Sequence, residues 1–424
     1  LAVIAWAVFV SYFLILPELF KIKMTGAHVI LLDCLTILGF ILFASSRVGA
    51  IGHLPVCLTK YKNNLYCFIL FIFITSLFGA VTNGFPNGFI DSFKIATQQA
   101  WPLVQMLFFL NLGVFSYRRL EMSENIFIVS ISVIAIADTV LNIASLESIH
   151  YLRPLAPQSL LFIFCFLLLL ERILRGNTLP AKGPLLIFVC LMTFNFMAVA
   201  LSVTRTALVG LVLGSIIMFL QKFSGSYNKT KYIFFFMLFG FCFFIFFLKM
   251  GLGDAFAYRS FNLQDSERII IWLDAFRIFK ENPVIGVGPG YYINNSLIDN
   301  FDLVGGLSSE NMSNSLIQIG SAHNTFLNTL ATTGVIGLIF YIFILVQTRS
   351  LLSKSLQKVD WVKSYFWVTF FLSLFEESTF LPSTRYTPIL LAPFWYFMGA
   401  KVFGNRTLPS ASSNDKTDLS HAQC

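Results

Sequence analysis

Three residues stand where apolar chain meets polar chain, and their types suit chemistry at a diphosphate. Arg205 interrupts a long apolar stretch within Ser202-Val203-Thr204-Arg205-Thr206. Arg268 follows the helix-start signal Asp265-Ser266-Glu267, and His323 lies in Ser321-Ala322-His323-Asn324-Thr325, where a long loop returns to apolar chain. An arginine fork donates two parallel charge-assisted hydrogen bonds to a phosphate. Two such forks can neutralise a diphosphate as its bond to a sugar breaks. Arg268 gains further from the positive end of its own helix. A histidine titrates near working pH and can take the proton of an attacking hydroxyl. Each residue also has a plainer use. Interfacial arginines snorkel to lipid headgroups, and a histidine at a helix start serves as a cap or headgroup contact.

The chain that must position these residues is built for a membrane. Of its 424 residues 57% are hydrophobic and only 12% charged, against roughly 25% charged in soluble domains. Apolar runs long enough to cross about 30 Å of hydrocarbon recur along nearly the whole length. Spans are expected at 2–20, 27–45, 65–82, 95–115, 126–144, 157–174, 185–201, 207–220, 232–248, 325–347, 362–380 and 388–403. Residues 185–220 as one helix would be about 54 Å long, too long for one crossing, so a turn is expected at Arg205.

Loop charge supports that division. With the N-terminus inside, the cytoplasmic loops and tail hold 18 of the 29 basic residues, the short external loops six and the long loop five. Merging the spans around Arg205 would put the lysines after Leu220 outside, against the positive-inside rule. The fold class expected is an all-α polytopic membrane protein of about twelve transmembrane helices. Its parts are a nine-helix region at 1–248, an external loop at 249–322, a three-helix region at 323–403 and a disordered cytoplasmic tail at 404–424. The net charge of +8 then reflects cytoplasmic loops facing anionic lipid rather than nucleic acid. Span follows span from the first residues, so no cleavable signal peptide is expected.

The long loop is too long for a connector. Ile269, Trp272, Phe276 and Phe279 give 267–280 helical spacing, and an amphipathic helix there would lie at the membrane surface with its Trp and Phe face toward lipid or bundle. Gly286-Val287-Gly288-Pro289-Gly290 forces irregular backbone. It is no dinucleotide fingerprint, since no strand precedes it. Five of the seven cysteines lie in apolar spans and none in the long loop, so no disulfide is expected. Asn142, Asp138 and Asn195 suit interhelical hydrogen bonds. Glu376 and Glu377 are intramembrane carboxylates, costly and therefore suspected of a role; they can pair with Arg385 or Arg205. No Asp-x-Asp, Cys-x-x-Cys or His-Glu-x-x-His arrangement offers a metal site.

Together these segments resemble the O-antigen ligase and polymerase superfamily. Three blocks carry the likeness: Ser202-Val203-Thr204-Arg205-Thr206-Ala207; then Ser266-Glu267-Arg268 with Trp272 and Asn282-Pro283-Val284-Ile285-Gly286-Val287-Gly288; and His323-Asn324, nine residues, Gly334, two residues, Gly337. Phe375-Glu376-Glu377-Ser378 is similar to an acidic element near the end of such chains. The blocks cover roughly the last half of the sequence.

The resemblance implies an architecture like that of the C-type glycosyltransferases, with no cofactor and no metal. It implies transfer of a glycan from undecaprenyl diphosphate to an acceptor at the periplasmic face of the bacterial inner membrane. For a ligase the acceptor is a lipid A-core sugar hydroxyl; for a polymerase it is a second lipid-linked glycan. By the matching motifs, Arg205 and Arg268 hold the diphosphate and His323 activates the acceptor, with Asn324, Glu376 and Arg385 as further substrate-binding positions. The third block favours the ligase. A polymerase-like spacing of Arg, ten residues and Gly is met by Arg277 and Gly288, in a chain with 26 glycines. A glycan flippase also has about twelve spans, but such transporters often show inverted repeats, and none is visible.

Overall fold

The structure is a computed structural model that describes residues 56–85, 88–144, 158–175, 182–201, 205–223, 264–296, 322, 324–353, 360–374 and 387–407. Their regular structure is helical. In order come α1 (Val56–Thr82), α2 (Gly88–Ser116), α3 (Leu120–Ala144), α4 (Gln158–Arg175), α5 (Lys182–Leu201), α6 (Arg205–Lys222), α7 (Gln264–Glu281), the single turn α8 (Tyr292–Asn295), α9 (Thr325–Ser353), α10 (Trp361–Leu372) and α11 (Thr387–Thr407). The expected spans at 2–20, 27–45 and 232–248, and the tail from 408, fall outside the described residues.

Hydrocarbon leaves backbone groups no water to bond, so a chain this apolar must close its hydrogen bonds within helices. Three helical segments, Thr59–Thr82, Tyr117–Val140 and Thr325–Ser353, are long and apolar enough to cross a membrane; Leu186–Ala200 and Ala207–Lys222 are shorter apolar helices. The chain is a membrane protein. Hydroxyls within the helices turn back on their own backbone: Thr75 donates to the Phe71 carbonyl at 2.8 Å, Ser215 to Leu211 at 2.8 Å and Thr369 to Tyr365 at 3.1 Å. Each is thereby satisfied without water. Close packing between α2 and α11 depends on Gly113 and Gly399, where a Cβ would strike the backbone of the facing helix.

The division expected near Arg205 falls between two helices, α5 ending at Leu201 and α6 beginning at Arg205, and these run in opposite directions. Near its start α5 lays Phe188 under the Arg172 guanidinium, 6.0 Å from the ring centre, and further along Asn195 donates to Ser132 at 3.0 Å. Helix α6 returns to the first end, where Gln221 accepts from the Asp360 amide at 2.9 Å.

That end of the bundle gathers charge. Lys401 bonds Glu171 at 3.3 Å and Asp360 at 3.2 Å, all three buried, while Arg172 pairs with Glu124 at 3.2 Å and Arg175 with Glu171. Buried charges persist only when paired, so the cluster ties together the ends of α3, α4, α10 and α11. Tyr61 and Thr348, 2.9 Å apart, add α1 and α9.

Helix boundaries move outward in most cases. The helix expected at 95–115 begins at Gly88, that at 185–201 begins at Lys182, and that at 325–347 runs on to Ser353. Polar first and last turns are helical but carry no hydropathy signal. The helix expected at 362–380 instead stops at Leu372, followed by the turn Ser373-Leu374; residues 375–380 are not among those described.

Candidate functional site

The opposite end of the bundle is organised by a broken helix. In α9, Gly334 adopts φ 65° and ψ −165°, which interrupts the helical hydrogen bonds across it. Unrepaired, the break would leave the carbonyls of Ala331 and Thr332 and the amides of Val335 and Ile336 without partners. The irregular segment after α7 takes up all four. Val287 and Gly288 donate to the Ala331 and Thr332 carbonyls at 3.0 and 2.9 Å; Pro283 and Val284 accept from Val335 and Ile336 at 2.9 and 3.3 Å. In a dry setting each unpaired group would cost several kcal/mol.

The glycines make this fit sterically possible. A Cβ on Gly286 would strike the Thr332–Thr333 backbone, and one on Gly334 the Val284 carbonyl. Gly288, at φ +90°, rests on Gly79 of α1, and Ser76 of α1 donates to the Pro289 carbonyl at 2.8 Å. Gly290 abuts Ile95 of α2. The second and third sequence blocks are therefore one physical unit, seated on α1 and α2. The role of Gly79 was not legible, because a lone glycine in an apolar helix has many uses.

Helix α7 carries Arg268 and packs by Ala275 and Ile278 against Ala322, Ala331 and Val287. The four residues expected on one face are not the packed ones: Ile269 and Phe276 are exposed, and Trp272 and Phe279 half-buried. Ile269 is 56% exposed, Leu273 64% and Phe276 44%, while Ile271, Ala275 and Ile278 are buried. The small Ala275 allows close approach to the alanines of the facing chain. The helix starts at Gln264, so Arg268 is its fifth residue, just past the first turn.

At its far end, Arg277 bonds Asp274 at 2.9 Å, Glu281 at 2.8 Å and the Asn295 carbonyl at 2.5 Å. Burial opposes its charge, but the bonds and charges of Asp274 and Glu281 outweigh this and raise its pKa. Ser296 donates to Asp274 at 2.7 Å, and Asn295 reaches Asn83 beyond α1 at 3.3 Å. Arg277 thus fastens the loop to the bundle.

His323 lies outside the described residues, but both of its neighbours are placed. Ala322 is buried in the α7 cluster. Asn324 caps α9, its Oδ1 accepting from the Leu327 amide at 3.0 Å, while its Nδ2 donates to the Leu374 carbonyl at 2.7 Å. The Thr325 amide donates to Ser373 at 3.0 Å. The start of α9 is therefore fastened to α7 on one side and to the end of α10 on the other. Arg205 opens α6, and Gly210, five residues on, faces Leu372 at the end of α10. The helix positions of Arg205 and Asn324 thus belong to the same end of the bundle, linked through α10. Arg268 lies two turns before Ala275 on α7, the helix that packs against Ala322 and Ala331. Glu376 and Arg385 fall outside the described residues. Asn195, Ser132 and Cys165 form a buried polar contact within the bundle, apart from this end. Among the described residues no group of His, Cys, Asp and Glu is placed to hold a metal ion.

Residues 186–342 match a family model described as O-antigen ligase. The match runs from α5 into α9 and includes Arg205, Arg268, His323, Gly334 and Gly337, but neither Glu376 nor Arg385. It supports a membrane enzyme of the O-antigen ligase or polymerase type. No curated protein matches the chain.

Proposed function

We propose, on the premise that residues 186–342 are chain of the O-antigen ligase superfamily, that the protein is a glycosyltransferase of the bacterial inner membrane. It moves a glycan from undecaprenyl diphosphate to a sugar hydroxyl of lipid A-core at the periplasmic face. The observation that carries this reading is the clasp between 283–288 and the break at Gly334. It unites the second and third matching blocks into one structure, between the helix that bears Arg268 and the helix that Asn324 caps.

In this reading Arg205 and Arg268 grip the diphosphate and His323 takes the proton of the acceptor hydroxyl. The acceptor oxygen attacks the anomeric carbon from the side opposite the diphosphate. The new C–O bond forms as the old one breaks, undecaprenyl diphosphate leaves with its electron pair, and the anomeric centre inverts. The two guanidiniums occupy the charge-neutralising role that a divalent ion fills elsewhere, so the transfer is metal-independent. Asn324 holds the start of α9 against α10, and Glu376 and Arg385, on the chain that follows, complete the substrate contacts. Polymerisation, with a second lipid-linked glycan as acceptor, is the alternative. The engagement of Arg277 by Asp274, Glu281 and Asn295 weighs against it, because the polymerase-like spacing would need that residue free for substrate.

The test is transfer by purified protein from lipid-diphosphate donor to lipid A-core, with donor binding measured in parallel. His323→Ala is expected to slow transfer by about 100- to 10,000-fold while donor binding holds. Equal transfer by both proteins would reduce His323 to a cap or headgroup contact. Transfer to a second lipid-linked glycan in place of lipid A-core would establish the polymerase.

A further inference from the structure

We propose that an apolar groove between α1 and α2 holds the isoprenoid tail of the donor, with Lys94 at its mouth meeting the diphosphate. The inference rests on the glycosyl-transfer reading above and adds where the lipid part of the substrate lies.

The groove runs along the two helices. Tyr66, Leu70 and Phe73 line it from α1 and Thr97, Ala100 and Trp101 from α2, each set following the spacing of one helical face. From Tyr66 to Phe73 is about 10 Å along the axis, and the volume of the groove is about 280 Å³. Spread over that length, the space is the width of one chain. The small side chains of Thr97 and Ala100 make the room, and three aromatic rings form its walls. Tyr66 and Leu70 are 52% and 58% exposed, so among the described residues the groove opens sideways, where a lipid can enter from the bilayer.

Two observations select the donor tail as occupant. The upper end of the groove lies beneath the segment that braces α9. Phe73 is one turn below Ser76, which bonds Pro289, and Thr97 lies between Ile95 and Gln99, the residues that face Gly290. Lys94 is exposed one turn above Thr97 on the same face of α2. An apolar slot ending in a cation complements an amphiphile with a thin tail and an anionic head. Phospholipids share that chemistry, but the mouth lies at the end of the bundle that carries the candidate site, which selects the molecule whose head reacts at that end.

Two donors with the same diphosphate glycan separate tail from head, one carrying the full undecaprenyl chain and one a single isoprene too short to pass Thr97. Thr97→Trp fills the groove from an exposed position. It is expected to lower kcat/KM for the full-length donor about tenfold and to leave the single-isoprene donor unchanged. Lys94→Gln is expected to raise KM for both. A benzophenone-tailed isoprenyl diphosphate is expected to crosslink the wild-type protein within 66–73 or 97–104, and excess phosphatidylglycerol is expected not to prevent it. Crosslinking confined to other segments, loss of it to phosphatidylglycerol, or an unchanged donor preference in Thr97→Trp would overturn the inference. A wild-type protein that transfers from neither donor while still crosslinking in the groove would instead remove the glycosyl-transfer reading and leave an isoprenoid site.

Discussion

At Arg205 and Arg268 the chemistry asked of the side chain is directional. A guanidinium presents two parallel donors to a phosphate, whereas an ammonium of the same charge presents a point. Arg205→Lys and Arg268→Lys therefore keep the electrostatics of the site and lose the fork. Each is expected to reduce transfer at least tenfold while the protein still reaches the membrane in normal amount, because a lysine makes a point contact where the fork makes two parallel charge-assisted bonds. Transfer rates that match wild type in both variants would leave these residues as headgroup anchors. Arg277 illustrates the contrast. Its fork is spent on Asp274, Glu281 and the Asn295 carbonyl, so its role is to hold the loop in place.

At the scale of the element, the broken helix is the feature on which the site depends. Gly334 sits at φ 65° and ψ −165°, a region essentially closed to residues with a Cβ, and forcing one there costs about 1–3 kcal/mol. The Cβ would also meet the Val284 carbonyl and push apart the segment that satisfies four backbone groups. Gly334→Ala is expected to lower the thermal midpoint in detergent and to reduce transfer, since the start of α9 carries Asn324 and leads directly from His323. Val335→Ala, next to it on an exposed surface, is expected to change the midpoint little and serves as control. A Gly334→Ala protein that unfolds and transfers like wild type would show that the clasp is not needed to position α9.

For the whole molecule, the two ends differ in kind. One is a buried lattice of ion pairs around Lys401, Glu171 and Asp360; the other is backbone hydrogen bonding around glycines, with the candidate site beside it. Positions 118–119, 172–175 and 401, which loop charge assigns to one side, belong to helix ends at the ion-paired pole. The proposed topology places that pole in the cytoplasm and 249–322 in the periplasm. Single cysteines in a cysteine-free protein, probed in intact spheroplasts with an impermeant thiol reagent, are expected to label at 282 and not at 229. Labelling at 229 would remove the twelve-span arrangement.

The sequence by itself determined the membrane character, the place of most helices and the division at Arg205, because hydrocarbon demands long apolar helices and loop charge fixes which ends lie together. It also marked 286–290 as irregular, since glycine clusters are read locally, but the break at Gly334 lay unseen within the span expected at 325–347. What the tertiary structure decided was the partner of each irregular segment. A helix break exposes groups of a known kind, but nothing local says which distant backbone will meet them, and here it is 283–288. Whether the Trp and Phe face of α7 meets lipid or bundle stayed open in the sequence for a related reason. Periodicity separates apolar from polar faces, yet beside a bilayer a large apolar side chain is as well placed outside as in. Close approach to Ala322 and Ala331 chose the small Ala275 instead, and only packing could show that.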